Sequence, residues 1–206
     1  MVQLCATMDA AIPPKTRGSY KKAPGQCARW VGSMGIRNYL IEGVSGTGKT
    51  AVAEELQRRG FHVIHGDREL SYRGNPQTGE PLDGPAHASV ADSLAWGHKH
   101  WIWNVDKVKS VVADRRYAKS FFCGGSRNFH NFIDLFDQVF VLNVDLDTLN
   151  RRLAGRPDDE FGGKPSEREL IRRLYATKED VPKGGVAIDA AAPIERVVDE
   201  ILEKCG

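Results

Sequence analysis

The feature that most constrains this chain is the run Gly43-Val44-Ser45-Gly46-Thr47-Gly48-Lys49-Thr50, which matches G-x-x-x-x-G-K-[ST] at every fixed position. An apolar segment, residues 39–41, precedes it, and a helix-forming stretch, residues 51–59, follows it. Glycines let successive backbone N–H groups turn toward a phosphate, and the N-terminus of the following helix adds its partial positive charge. An ordinary glycine-rich turn explains neither the Lys-Thr pair nor this setting, so the sequence predicts a strand, a phosphate-binding loop and a helix.

The side chains of the loop indicate what it binds. Lys49 can reach the β- and γ-phosphates of a nucleotide, and the Thr50 hydroxyl can hold Mg²⁺. The chain has no Asn-Lys-x-Asp motif for reading guanine, which disfavours a dedicated GTPase. We therefore expect ATP and Mg²⁺ as cofactors, and the loop residues expected to bind them are Gly43, Ser45, Gly46, Thr47, Gly48, Lys49 and Thr50.

Length and composition favour one compact domain. The 206 residues are 41% hydrophobic, enough to bury one substantial core. A net charge of +2 argues against binding nucleic acid by bulk electrostatics, and no apolar stretch approaches the roughly 20 residues that cross a bilayer. Four scattered cysteines without a C-x-x-C pair disfavour a zinc site or a disulfide framework and suit a cytoplasmic protein; they are Cys5, Cys27, Cys123 and Cys205.

The N-terminal segment, residues 1–34, differs from the rest of the chain. It is basic, contains Pro13-Pro14 and Pro24-Gly25, and has no sustained apolar periodicity. We expect a disordered basic extension here, because a secretory signal needs a continuous apolar region that this segment lacks. An organelle transit segment is the alternative. The folded domain is expected over residues 35–206.

From residue 35 onward, strand-like and helix-like segments alternate, which predicts an α/β fold with a parallel sheet. Two insertions interrupt this alternation, at residues 68–105 and 155–165. We expect both at the carboxyl end of the sheet, where open α/β folds bind ligands. The terminal helix should begin at about Pro193, and the five predicted strands are residues 38–42, 61–65, 119–123, 138–143 and 185–189.

An acidic residue, Asp67, comes directly after the second predicted strand. Its carboxylate can accept a proton from an attacking hydroxyl or hold Mg²⁺ through water. Capping of a following helix is the alternative role. Cys123 ends the third strand, where many ATPases place a metal-binding aspartate, and this shifts metal-related roles toward Asp67.

Two glycines and an arginine, Gly124-Gly125-Ser126-Arg127, follow the third predicted strand. The glycines allow a ligand to approach the backbone closely, and Arg127 can bind a carboxylate or a phosphate through two parallel hydrogen bonds. A plain turn with a surface arginine is the alternative.

A basic group follows the fourth predicted strand. Arg152 and Arg156 are four residues apart, so a helix places them on one face, where they can converge on one anion. Arginines so placed stabilise charge during phosphoryl transfer. A solvated helix face is the alternative.

The insertion at 68–105 is rich in histidine and tryptophan. His98 and His100 are two residues apart and do not share a helical face, and no cysteine completes a zinc pattern. We therefore expect aromatic packing of a substrate-facing subdomain, with stacking of Trp96 on a planar substrate as the alternative. The residues concerned are His87, Trp96, His98, His100, Trp101 and Trp103.

The order of these motifs resembles that of small P-loop kinases, a group that includes adenylate, shikimate and gluconate kinases and related nucleoside kinases. The resemblance covers about residues 36–204. It implies a P-loop NTPase fold, a three-layer α/β/α arrangement with a five-stranded parallel sheet in the order 2-3-1-4-5. It also implies that residues 35–206 form a P-loop kinase domain, in which residues 68–105 bind the acceptor and residues 155–165 form a lid loop.

The resemblance also implies roles for single residues. Lys49 and Thr50 would serve the ATP phosphates and Mg²⁺, and Asp67 matches the acidic residue near the acceptor hydroxyl. Arg127 matches an acceptor-binding arginine, and Cys123 departs from the aspartate of adenylate kinases, which argues against a nucleoside monophosphate kinase. The remaining matches are the lid arginines Arg152 and Arg156 and an adenine-bordering loop, residues 189–193.

Three functions remain open at this point. The first is an ATP-dependent phosphotransferase that moves the γ-phosphate to a small-molecule acceptor, with nucleosides and nucleotides among the candidates. The second is an ATP-binding NTPase or regulator that uses no acceptor. The third is a kinase acting on nucleic-acid ends, which the near-neutral charge disfavours. The sequence does not identify the acceptor.

Overall fold

The computed structural model describes residues 36–86 and 89–206. The predicted basic extension, residues 1–34, lies outside the described residues, as does His87. Within these ranges, strands and helices alternate as expected. They are β1 (Arg37–Glu42), α1 (Lys49–Arg58), β2 (His62–His65), α2 (Gly66–Glu69), β3 (Ser71–Arg73), α3 (Val90–Lys99), β4 (Trp101–Trp103), α4 (Val105–Val112), β5 (Lys119–Cys123), β6 (Gln138–Asn143), α5 (Leu146–Ala154), α6 (Pro165–Thr177), β7 (Val186–Asp189) and α7 (Ile194–Lys204).

The central feature is a parallel five-stranded sheet in the order β2-β5-β1-β6-β7. These are the five predicted strands, and numbered among themselves their order is 2-3-1-4-5, so the predicted fold class is confirmed. The middle strand is β1, whose Ile41 pairs with Cys123 of β5 and Phe140 of β6. Because all five strands are parallel, their carboxyl ends and the loops that follow them meet at one edge.

Alternating side chains of β1 divide the core between the two faces of the sheet. Tyr39 and Ile41 belong to one hydrophobic cluster, which includes buried residues of α1, α5, α6 and α7. Leu40 belongs to the other, which includes Trp103 and Phe122. The strand is apolar at successive positions because helices cover both of its faces, as is typical of parallel sheets.

The insertion at 68–105 has its own architecture. Strands β3 and β4 form a two-stranded antiparallel sheet in which Ser71 pairs with Trp103 and Arg73 pairs with Trp101. Helix α3 precedes β4, and its N-cap Ser89 accepts a hydrogen bond from the Asp92 backbone N–H. The sequence did not predict this sheet, because strands of three residues are too short to show alternation.

Trp103 joins this insertion to the main sheet. Its side chain is fully buried and stacks on Phe132 with the ring centroids 5.5 Å apart. A Cβ atom at Gly66 would lie 2.0 Å from the indole ring, and one at Gly124 would lie 2.8 Å from it. The two glycines therefore let the loops after β2 and β5 close on the indole, which brings Asp67 beside the Gly124 backbone.

Gly66→Ala should lower the free energy of unfolding by about 1–3 kcal/mol, because the added methyl group overlaps a buried ring that has no room to move. Urea titration would measure the change. The matched control is Gly84→Ala, where the nearest atom to the added Cβ is 3.7 Å away on Trp96, and we expect it to fall within about 0.5 kcal/mol of wild type. Equal losses in the two variants would contradict the packing account.

Candidate functional site

A cavity of about 1030 Å³ opens at the carboxyl edge of the sheet. Its walls come from the phosphate loop, from α3 and β4 of the insertion, and from residues after β5, α5 and α6. The structure brings every predicted site residue to this one cavity. They are Gly43, Ser45, Gly46, Thr47, Gly48, Lys49, Thr50, Asp67, Arg127, Arg152 and Arg156.

The phosphate loop has the backbone that its glycines predict. Gly43, Gly46 and Gly48 have backbone φ angles of +152°, +97° and +107°, which residues other than glycine rarely adopt. A Cβ at Gly43 would also lie 2.6 Å from Thr47 Oγ1. Helix α1 begins at Lys49, and no side chain caps its N-terminus, so its first backbone N–H groups are available to an anion.

Lys49 bends back over its own loop. Its Nζ donates hydrogen bonds to the carbonyl oxygens of Gly43 and Val44. Burial lowers the pKa of the Lys49 ammonium, whereas the carboxylates of Asp67 and Glu42 act to raise it. The partners of Lys49 in this state are thus neutral oxygens, which phosphate oxygens can replace.

Asp67 is fixed by donors from outside its own helix. Its Oδ1 accepts the backbone N–H of Gly125 at 3.1 Å and the indole N–H of Trp101 at 3.3 Å. The N-cap of α2 is His65, whose N–H donates to the Glu69 carboxylate. The alternative in which Asp67 caps this helix is therefore wrong.

Arg127 is buried rather than a surface arginine. Its Nη1 lies 3.1 Å from Asp180 Oδ2 and donates to the Asp180 carbonyl oxygen at 3.1 Å. Only 13% of its side chain and 8% of the Asp180 side chain are exposed. Burial lowers the pKa of the Arg127 guanidinium, while Glu42 and Asp67 act to raise it. Arg127 reaches the cavity, but with its charge balanced by a carboxylate.

Arg152 and Arg156 both extend from the C-terminal end of α5 to the phosphate loop. Arg152 Nη1 donates to the Thr47 carbonyl oxygen at 2.9 Å, and its Nη2 donates to the Ala190 carbonyl oxygen at 2.8 Å. Arg156 donates to Ser45 Oγ at 3.1 Å and to the Phe161 carbonyl oxygen. The solvated-face alternative therefore does not apply to this pair.

The chain matches a known protein family. Residues 40–173, about two thirds of the chain, match a protein family described as AAA domain. The chain belongs to this family. A search of curated proteins finds no match.

Solved structures of small P-loop kinases resemble this AAA-domain chain in fold. Shikimate kinase from Bacteroides thetaiotaomicron has a TM-score of 0.53 at 17% identity, covering 81% of this chain and 97% of that chain. A gluconokinase from Sinorhizobium meliloti has a TM-score of 0.49 at 23% identity, covering 81% and 90%. A sugar kinase from Janibacter has a TM-score of 0.49 at 19% identity, covering 82% and 93%. The predicted resemblance to small P-loop kinases is confirmed at the level of fold.

Glu42 is a site residue that the sequence analysis placed only at the end of a strand. The residue is 1% exposed, and its carboxylate accepts the backbone N–H of Gly43 at 3.1 Å and that of Ser126 at 3.2 Å. Burial raises the pKa of the Glu42 carboxyl to about 7, although Arg127 and Lys49 act to lower it. A charged residue ending an otherwise apolar strand, directly before the phosphate loop, was the available signal.

Trp101 and His98 line the cavity, whereas Trp96 does not. Trp96 stacks on His100 with the ring centroids 4.4 Å apart, which agrees with the predicted aromatic packing and not with the alternative of stacking on a substrate. Trp101 is covered by the Arg73 guanidinium, 4.5 Å from the ring centroid, and its indole N–H holds Asp67. Trp101 is thus an aromatic residue that a ligand in the cavity would meet, and Phe161 is another.

The residues present fit a magnesium ion bound together with nucleotide phosphates. Thr50 and Asp67 both line the cavity and offer the oxygen ligands that Mg²⁺ prefers. Among residues 36–86 and 89–206, no group of three or more His, Cys, Asp or Glu residues is arranged to hold a metal by itself. Mg²⁺ commonly keeps several waters and uses one or two protein ligands beside phosphates, so this donor set suffices.

Among residues 36–86 and 89–206, no helix is both long and apolar enough to span a membrane.

The stability of Glu42→Gln relative to wild type should depend on pH. Because the folded-state pKa is raised, the protonated carboxyl contributes fully to the stability of the fold below pH 4.5, which is its ordinary pKa. This contribution is lost as the pH rises to about 7. The free energy of unfolding of wild type should therefore fall by on the order of 3 kcal/mol relative to that of Glu42→Gln over this pH interval, and should fall no further above it.

Urea unfolding from about pH 4 to about pH 8 would measure this difference. Glu54→Gln, an exposed change on α1, is the matched control and should show no such slope. A constant difference between Glu42→Gln and wild type would contradict the proton uptake inferred for Glu42.

Proposed function

We propose that this protein is an ATP-dependent phosphotransferase that moves the γ-phosphate of ATP to a hydroxyl group of a small metabolite. The observation that carries this proposal is the position of Asp67, which lines the same cavity as Lys49 and Arg156 and is held by two donors. A cavity of about 1030 Å³ has room for a nucleotide together with a second small molecule. An NTPase without an acceptor has no need for the additional space.

The site residues divide between the two substrates. Backbone N–H groups of the phosphate loop and the Lys49 ammonium would bind the β- and γ-phosphates, and Thr50 would hold Mg²⁺. Mg²⁺ bound there would neutralise charge on the phosphate oxygens. Arg156 would exchange its Ser45 and Phe161 partners for oxygens of the migrating phosphoryl group.

Asp67 would receive the proton of the acceptor hydroxyl. Its Oδ1 is fixed by Gly125 and Trp101, which leaves Oδ2 to accept the proton as the acceptor oxygen attacks the γ-phosphorus. The bond between the γ-phosphorus and the bridging oxygen then breaks, and ADP leaves. Arg152 would be a positioning residue, because one of its hydrogen bonds is to the phosphate loop and the other is to the loop after β7, so that it holds the two loops together.

The decisive experiment follows ADP formation from Mg·ATP, with and without a panel of nucleosides, nucleotides, sugars and hydroxy acids. Lys49→Ala should reduce acceptor-dependent turnover by about 10² or more while the domain stays folded, because it removes a charge that faces the phosphates. Lys107→Ala, an exposed change on α4, is the matched control and should behave as wild type.

ATP hydrolysis that never responds to an acceptor would favour the alternative of an NTPase or regulator. Transfer only to RNA or DNA ends would favour a nucleic-acid-end kinase. Unchanged turnover in Lys49→Ala would contradict the assignment of the phosphate loop itself.

Asp67→Asn separates a proton-accepting role from a merely structural one. The amide keeps the shape and its oxygen can still accept from Gly125, so ATP affinity should stay within a few-fold of wild type. Phosphoryl transfer should fall by roughly 10²–10⁴, the usual contribution of a positioned general base. Single-turnover kinetics measures this, with the exposed Asp134→Asn as control. Normal transfer in a destabilised variant would contradict the proton-accepting role.

A further inference from the structure

A second polar cluster lines the cavity beside α3. It consists of Asp180, in the loop between α6 and β7, with Arg127 and His98. Asp180 Oδ2 lies 3.1 Å from Arg127 Nη1 and 3.7 Å from His98 Nε2. Three separate segments of the chain thus converge on one buried carboxylate.

Two atoms of this cluster have no hydrogen-bond partner among the residues that the structure describes. They are Asp180 Oδ1 and Arg127 Nε, and both are buried. Asp180 itself is more than nine-tenths buried while lining the cavity. Because a buried polar atom without a partner is costly, this pair can be stabilised by a ligand in the cavity that offers a hydrogen-bond donor to Asp180 and an acceptor to Arg127.

The charges of the cluster disfavour an anion. Arg127 is paired with Asp180, and the pair carries no net charge. Burial, together with the Arg127, Arg173 and Arg73 charges, lowers the pKa of His98 to about 4, so its imidazole is neutral near pH 7. A carboxylate or phosphate placed here would lie against the Asp180 carboxylate, whereas a hydroxyl or amino group would donate to it.

The wall between this cluster and Asp67 is aromatic. Trp101 donates its indole N–H to Asp67 Oδ1, and its backbone carbonyl oxygen accepts the N–H of Arg127. One strand residue therefore connects the acidic residue at the reacting end to the Asp180 cluster. Arg73 also lines the cavity, where it stacks on Trp101 and donates to the Gly97 carbonyl oxygen. The wall thus combines the indole, the Arg73 guanidinium and small residues such as Gly97.

We propose that Asp180, supported by Arg127 and His98, is the specificity-determining residue for the acceptor, and that it selects an uncharged molecule with neighbouring hydroxyl or amino donors. This inference rests on the proposed phosphotransferase function. The chemistry is that of a sugar or sugar alcohol, or of a nucleoside, rather than of a sugar acid or a nucleotide. The reacting hydroxyl would lie at Asp67 and the recognised donor at Asp180.

Matched pairs of compounds test the proposal by binding alone, without turnover. Calorimetry in the presence of a non-hydrolysable ATP analogue would compare sorbitol and glucose with gluconate, and adenosine and cytidine with AMP and CMP. Wild type should bind the uncharged member of at least one pair about tenfold or more tightly than its charged partner. The sugar and nucleoside arms distinguish the two sources of this chemistry.

Asp180→Asn should invert this preference. The uncharged ligand should lose about tenfold or more in affinity, and the charged partner should gain, because Arg127 is released from its counter-charge. Affinity for the ATP analogue should stay within a few-fold of wild type. Asp134→Asn is the matched control, since this exposed carboxylate lines neither the cavity nor the cluster.

Tighter binding of the charged member of every pair, or no binding of any uncharged compound, would overturn the assignment. So would an unchanged preference in Asp180→Asn. The comparison in wild type stands even where that variant fails to fold. Transfer to sugar acids or nucleotides would refute only this inference, whereas acceptor-independent ATP hydrolysis would refute the proposed function and leave the binding test intact.

Discussion

The site depends on one buried carboxylate at the end of the central strand. Glu42 accepts the backbone N–H of Gly43, the first residue of the phosphate loop, and that of Ser126, in the loop after β5. These two loops form two walls of the cavity, which we propose to be its nucleotide side and its acceptor side. Their spacing is therefore set by the reach of one glutamate side chain, fixed at its base by the pairing of β1 with β5 and β6.

Burying a carboxylate is unfavourable unless neighbouring charges and donors offset the lost hydration. Here the signs alternate: Glu42 faces the positive charges of Lys49 and Arg127, and Arg127 in turn pairs with Asp180. Removing one member leaves another charge buried without its partner, which costs more than the pair itself contributes. This alternation explains why charged groups at the floor of the cavity tolerate their burial.

The sequence predicted the five-stranded sheet and the phosphate loop in detail. The five long strands are apolar and are punctuated by glycine, and the phosphate loop requires particular residue types at fixed positions. Asp67, Arg127, Arg152 and Arg156 could be placed because each comes after one of these strands, in the segment that leads away from the carboxyl edge of the sheet. Their side chains reach the predicted cavity, while their roles in catalysis stay predictions.

The residues that escaped prediction share a different property: their importance arises from contacts between distant segments. Aromatic packing was predicted for Trp101 and Trp103, but their individual contacts were not, because both lie in a three-residue strand, which shows no periodicity. Asp180 lies in an irregular loop and meets Arg127, 53 residues away, only in the folded chain. No local pattern distinguishes Asp180 from an ordinary surface charge. Glu42 did carry a local signal, a charge at the end of an apolar strand, but its contact with Ser126 arises only in the folded chain.

The partner of each basic side chain indicates which part of the cavity can take an anion. Lys49, Arg152 and Arg156 are held by carbonyl and hydroxyl oxygens, which leave their positive charge intact. Arg127 is held by a carboxylate, which neutralises it. The arginines and the lysine at the phosphate loop therefore keep the charge that a triphosphate needs. The Arg127–Asp180 pair carries no net charge, which supports the proposed division of the cavity between a polyanion at one end and an uncharged molecule at the other.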